Sequence, residues 1–202
     1  ENIHHEHSNP LLSQFGQASF TEFIPGVGAT YQVDADNLIY GGVHKGFSPP
    51  RVEDAISGST TVDLNAEKSI NAELGLRSTP AKNVFIDVAV FRNDFSNLIQ
   101  VGSIAGGSTS YQEGKALIQG AELAGQIDKL TNAVAGNMFV RMAFTHIPTA
   151  DQKSSFTSSA GTGAVGNRLP YAPENTLTLT LGYRAPANWN SRLEYVYVGK
   201  QF

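Results

Sequence analysis

Cysteine is absent from all 202 residues, and charged side chains occupy only 16% of them, below the ~25% usual in soluble domains. The first absence excludes disulfide frameworks, thiolate zinc sites and cysteine nucleophiles. No run of 18 apolar residues exists either, which excludes a transmembrane helix. The opening residues 1–8 (ENIHHEHS) carry no apolar core of the signal-peptide kind. Lys and Arg number 14 against 18 Asp and Glu, a net charge of −4 without any long basic run. A nucleic-acid partner is therefore not expected. Catalytic signatures are missing as well: the chain has no Gly-x-Ser-x-Gly, no Gly-Lys-Ser/Thr phosphate loop and no His-Glu-x-x-His. Neither an enzyme nor a catalytic cofactor is expected.

What the chain does have is period-two alternation and 20 glycines. Residues 176–184 read TLTLTLGYR, with Leu177, Leu179, Leu181 and Tyr183 apolar and every even position polar or glycine. Successive side chains of a strand point to opposite faces, so this segment has one apolar and one wet face. Residues 69–77 repeat the pattern through Ile70, Ala72, Leu74 and Leu76. Further strands are expected at 84–91, 115–127, 138–145 and 192–197, and two glycine-rich ones at 26–33 and 38–47. That makes eight strands and no amphipathic helix.

Short and long connections alternate between them. Residues 34–37, 79–83 and 185–190 make tight turns, and 128–136 a somewhat longer one. Long Ser/Thr/Gly-rich stretches fill 48–66, 102–114 and 148–173. In an up-and-down antiparallel sheet every second connection emerges at the same end, so all the long loops gather there. Outer-membrane barrels have this arrangement. A soluble β-sandwich also alternates, and it is the competing expectation. Strand length separates the two, because globular strands have a mode of ~5–6 residues and a tilted membrane-crossing strand needs ~9–11. Tyr183, Tyr195, Tyr197 and Trp189 near strand ends add an aromatic girdle.

The expectation is thus an all-β, antiparallel up-and-down transmembrane β-barrel, its apolar rows against lipid. Glu73, Arg77, Asp87, Glu122, Arg141, Arg184, Arg192 and Glu194 then face the lumen. So many charges left unpaired in a small dry core would each cost several kcal/mol. The lumen charges Arg77, Arg141 and Glu122 are expected to pair with one another, with contact to a plug inside the lumen as the alternative. His4, His5 and His7 with Glu6 offer imidazoles for Zn, Ni or Cu, against the plainer alternative of a solvated segment.

A series of motifs resembles the barrel of TonB-dependent outer-membrane receptors. Leu38-Ile39-Tyr40-Gly41-Gly42-Val43-His44-Lys45-Gly46-Phe47-Ser48-Pro49-Pro50 is one. The stretch from Glu67 through Ser69, Glu73 and Gly75 to Arg77 fits Glu-x-Ser-x-x-x-Glu-x-Gly-x-Arg, and Val90-Phe91-Arg92-Asn93-Asp94-Phe95 and Gly120-Ala121-Glu122-Leu123 follow in order. Within that family the closest resemblance is to ferric-dicitrate-like siderophore receptors. The resemblance implies a 22-stranded barrel with an N-terminal plug, in the outer membrane of a Gram-negative bacterium. At about 25 residues per strand, 22 strands need roughly 550 residues. Eight consecutive strands are therefore expected to be a partial barrel domain (1–202), with 1–22 an extracellular loop and the plug and closing strands absent.

The implied function is import of a ferric siderophore or similar iron chelate, energised by the TonB–ExbB–ExbD complex acting through the plug. Partners are outer-membrane lipid and the chelate itself. Anionic chelates call for cations at the mouth, and Lys45, Arg51, Lys115, Lys153 and Arg168 lie at loop ends or in loops. A passive porin and a soluble binding sandwich are the alternatives.

Overall fold

The computed structural model describes residues 2–9, 14–49, 56–57, 60–61, 66–101, 110–130, 135–158 and 161–201. The strands run in chain order as β1 (Asn2–Asn9), β2 (Gln14–Thr21), β3 (Gly26–Gln32), β4 (Asn37–Ser48), β5 (Ile56–Ser57), β6 (Thr60–Thr61) and β7 (Glu67–Ala81). There follow β8 (Val84–Val101), β9 (Ser110–Ile127), β10 (Asn137–Gln152), β11 (Phe156–Ser158), β12 (Gly161–Gly163), β13 (Asn175–Arg184) and β14 (Asn190–Val198). Eight of them form one antiparallel meander in the spatial order β14-β13-β10-β9-β8-β7-β4-β3. These are the eight strands expected from alternation, each hydrogen-bonded to its neighbour in sequence. The remaining strands pair as three small hairpins, β1-β2, β5-β6 and β11-β12.

Local chemistry makes the tight turns. Between β3 and β4 the Asp34 carboxylate accepts from the Asp36 amide (2.8 Å) and from Asn37 Nδ2 (2.8 and 2.9 Å), an Asx turn that closes the hairpin. Between β7 and β8 only Lys82 and Asn83 intervene, and Asn83 takes a left-handed φ of 66°, a conformation asparagine tolerates. The Ala185 amide donates to the Trp189 carbonyl (2.9 Å) across the last turn. These connections share one end of the sheet, and the long connections share the other.

The register runs Ile39↔Leu76↔Val88↔Leu123↔Phe144↔Leu177↔Tyr197 across the sheet. One face is therefore apolar almost throughout, and it is open: Ile70 is 59% exposed, Leu74 58%, Leu179 40% and Leu181 41%. Among the described residues no second sheet covers it, so the sandwich expectation fails. The few buried apolar residues are mostly small, such as Ala66, Ala89, Ala116 and Ala150. Surface of this kind is stable only where apolar side chains are solvated by something other than water.

Three expectations need correction in detail. Within the segment 1–22, expected as a loop, β1 and β2 form a hairpin that the alternation did not announce, paired over eight positions from Asn2↔Thr21 to Asn9↔Gln14. β10 runs past Pro148 to Gln152, absorbing the proline in a register shift between His146 and Thr149. Beyond it, residues 166–169 fold back on that strand: the Leu169 amide donates to the Ala150 carbonyl (2.7 Å), and both side chains are buried. β8 and β9 are longer than expected, at 18 residues each. At ~3.3 Å per residue they outrun a ~25 Å apolar band and project at the loop end.

Candidate functional site

On the face opposite the apolar rows, Arg77 pairs with Asp87, which pairs with Ala124; Ala124 opposes Ala143, and Ala143 opposes Thr178. Counting by twos from these positions puts Glu73, Arg77, Asp87, Glu122, Arg141, Arg184, Arg192 and Glu194 all on this face. Their partnerships differ from the sequence expectation. Arg77 is bound to Asp87 through Nε (2.9 Å) and Nη2 (2.8 Å), not to Glu122. The Tyr40 hydroxyl donates to the other Asp87 oxygen (2.7 Å), and the Arg77 guanidinium lies 5.3 Å from the Tyr40 ring centre. Arg141 and Arg184 stack on the Phe139 ring at 5.0 and 4.3 Å. Among the described residues, Arg141 and Glu122 form no ion pair.

Glycine makes room for these rings. A Cβ on Gly75 would stand 2.2 Å from the Tyr40 ring, and one on Gly182 would stand 2.1 Å from Phe139. The aromatic side chains thus lie flat across the strand next door and carry guanidinium groups on top. The result is a wall of charges and ring faces, hydrogen-bonded laterally and open on one side.

At the loop end a second cluster forms. Lys45, Lys68, Lys115 and Lys153 line one cleft of about 410 Å³ together with Asp94 and Phe95. Lys45 and Lys68 share Glu22, the latter at 2.6 Å. Lys153 reaches Asp151 at 3.1 Å, and Arg92 takes Asp94 in a two-point grip at 2.7 and 3.0 Å. The Lys115 ammonium has no carboxylate partner among the described residues. Lys68 escaped the sequence reading although it follows from parity: it stands two residues from Ile70, on the same row.

That parity also sets the facing of three expected ligand contacts. Lys45 lies two residues beyond Val43, and Lys115 two residues before Leu117, so both continue the apolar rows. The Lys153 amide donates to the Lys115 carbonyl (2.7 Å) and places Lys153 beside it. Arg168 is half-buried, donating to the carbonyls of Ala172 (2.9 Å), Ile147 (2.7 Å) and Pro148 (3.4 Å). Arg51 lies outside the described residues. His4 meets Ser19 Oγ at 2.8 Å, and the side chains of His5 and His7 are outside the described set. Among the described residues no group of three His, Asp or Glu is placed to hold a metal.

Hydrogen bonds from Lys45 and Lys68 hold the Glu22 carboxyl far below its ordinary value of 4.5, at about 2. A depressed carboxylate adds stability that is complete above its ordinary pKa and is lost as pH falls through the folded one. The Lys45 amide also donates to the Pro25 carbonyl (2.9 Å), so this anchor holds residues 22–25 to β4. Hydrogen exchange at the Lys45 amide should accelerate from about pH 4.5 down to about 2, after correction for intrinsic rates. Glu22→Gln should remove that pH dependence, and a profile identical to wild type would refute the anchor.

Aromatic side chains mark the ends of the apolar rows. Tyr183 meets Trp189 edge-on at 5.3 Å at the short-turn end, and Tyr31, 69% exposed, joins them there on β3. Tyr197 stands near the loop end of β14, while Tyr195 lies opposite Leu179 in the middle of the row. Such belts suit the two boundaries of a bilayer.

Comparison with known proteins agrees with this architecture. The family model "TonB dependent receptor-like, beta-barrel" matches residues 4–202. The ferrienterobactin receptor of Escherichia coli K12 is 29% identical over 147 residues, which is 69% of this chain and 18% of that protein. Among solved structures, the siderophore receptor PirA of Acinetobacter baumannii superposes with a TM-score of 0.65 at 19% identity, covering 92% of this chain and 29% of that one. The ferric enterobactin receptor PfeA of Pseudomonas aeruginosa, solved in complex with enterobactin, gives 0.60 at 17% identity, with 92% and 28% covered. The chain thus spans less than a third of each of these relatives. With one exposed apolar face, one charged face, long loops gathered at one end and a family match over nearly its whole length, the chain belongs to the TonB-dependent receptor β-barrel family.

Proposed function

We propose that the protein is an outer-membrane receptor importing a ferric siderophore, with this chain as part of its barrel wall. The family match on a sheet whose apolar face is open carries the proposal. On this basis the apolar rows meet acyl chains, and the wall of Arg77, Asp87, Arg141 and their neighbours lines the aqueous interior. Residues 1–22 are assigned to the extracellular side. Energy comes from TonB–ExbB–ExbD acting through the plug of the intact receptor, and no bond of the chelate is made or broken. The ferric-dicitrate subtype finds no support in the relatives named above.

Ligand contact is assigned to Arg51, in the connection between β4 and β7, and to Arg168. The guanidinium of Arg168 has five N–H donors, of which three hold main-chain carbonyls, so two remain for a ligand. Cells whose sole siderophore receptor is the full-length protein should take up radiolabelled ferric siderophore, and should stop when TonB is deleted. Uptake that survives the deletion would assign the protein to passive channels instead. Arg51→Ala combined with Arg168→Ala should weaken ferric-siderophore binding about tenfold. Unchanged affinity would remove both residues from the ligand site.

A further inference from the structure

Five neighbouring strands carry outward apolar rows of one length, four alternating side chains each. They run Ile70–Leu76 on β7, Val84–Val90 on β8, Ala121–Ile127 on β9, Met138–Phe144 on β10 and Leu177–Tyr183 on β13. At the loop end each row stops on a polar residue of the same face: Lys68, Arg92, Gln119, His146 and Asn175 in turn. This margin is bonded along its own length. Arg92 Nη1 donates to Gln119 (3.3 Å), Gln119 Nε2 donates to Thr149 (3.2 Å), and His146 Nδ1 lies 2.9 Å from Asn175 Oδ1.

The margin crosses the hydrogen-bond ladder obliquely. Counted from the register row Leu76↔Val88↔Leu123↔Phe144↔Leu177, Lys68 stands eight residues toward the loop end, Arg92 and Gln119 four, and His146 and Asn175 two. That drop of six residues is about 20 Å of strand over about 19 Å of strand spacing, so a level margin means strands tilted by about 45°. Membrane barrels tilt their strands by about 35–45°, so the polar residues trace one depth around the wall. The height of the apolar band follows from the same tilt. Four alternating side chains cover about 20 Å of strand but only about 14 Å along the barrel axis, and under about 20 Å with the reach of the end rows. An apolar band of about 25 Å is usual.

We propose that the bilayer is thinned along β7–β13, its apolar core drawn down to about 15–20 Å at this wall. The proposal rests on the barrel reading above, which puts acyl chains on this face. The Arg92 side chain is 53% exposed, and a guanidinium among acyl chains is costly. A leaflet that descends to the margin leaves Arg92, Gln119 and His146 among headgroups, where their unspent donors and acceptors meet water.

The test places a nitroxide on single cysteines at Gln119, His146, Val90 or Leu179 of the full-length receptor, in dioleoyl phosphatidylcholine vesicles with a core of about 30 Å. Collision with oxygen reports acyl chains, and collision with a neutral nickel chelate reports water. Relative to the labels at 90 and 179, those at 119 and 146 should favour nickel over oxygen by at least about threefold. Oxygen preference at all four positions would overturn the thinning and leave the barrel standing. Nickel preference at 179 as well would defeat the barrel reading itself. Labels at 119 and 146 that neither reagent reaches would mean that another protein covers this face, and would overturn the proposal too. In a second measurement, Gln119→Leu with His146→Leu and Asn175→Leu adds an apolar row on three strands. Across monounsaturated lipids of increasing chain length, wild type should resist thermal unfolding best at the thin end, and the triple variant should shift that optimum by about two carbons. An unmoved optimum would also overturn the thinning.

Discussion

Leu179→Arg should destabilise the assembled receptor by about 2–4 kcal/mol, while Thr180→Arg, one residue on, should stay within about 0.5 kcal/mol of wild type. Leu179 is central on the apolar row of β13, between Met142 and Tyr195 in register, and it is 40% exposed. If acyl chains lie there, a guanidinium has neither water nor a partner within reach. Thr180 points the other way, between Arg141 and Glu194, where a new cation is solvated and has a carboxylate across from it. Denaturant unfolding of the full-length receptor in lipid vesicles measures both. Equal costs at the two positions would mean that the faces of the sheet see the same medium, and the barrel reading would fall.

Gly182→Val should be the most damaging conservative substitution on the charged face, at about 2–4 kcal/mol from overpacking and lost cation–π contact together. Three atoms of the Phe139 ring lie within 2.1 to 2.6 Å of the position a Cβ would take. The ring is only 7% exposed and carries Arg141 and Arg184, so it cannot swing away without releasing both. Phe139→Ala removes the obstacle, and the double variant should be more stable than Gly182→Val alone. A double-mutant cycle should therefore give a coupling of about 1–3 kcal/mol. Additive costs would show that the ring does not occupy the glycine's space.

Much of this fold was legible beforehand for a local reason. Alternation of apolar and polar residues follows from the two-residue period of a strand, so each of the eight meander strands announced itself. The hairpin β1-β2 did not, because NIHHEHSN and QFGQASFT carry no apolar row. Pro80 and Pro148 obscured two strand ends for another reason. A proline cannot donate to the ladder, yet both strands continue, with register shifts between Ser78 and Ala81 and between His146 and Thr149. The cationic cluster was half legible: loop-end position singled out Lys45, Lys115 and Lys153, while their facing was already present in the parity with Val43 and Leu117.

Which face each side chain joins was thus settled within a few residues of chain, by backbone geometry alone. Which side chains meet was settled by register between strands far apart in sequence. Tyr40 reaches Asp87 across 47 positions, and Glu22 gathers Lys45 and Lys68 from two strands. Phe139 covers Gly182 only because the ladder between β10 and β13 places them side by side. Hydrogen-bond ladders are repetitive and blind to side-chain identity, so no short stretch of sequence specifies such pairs. They follow from where every strand of the sheet stops sliding past its neighbour.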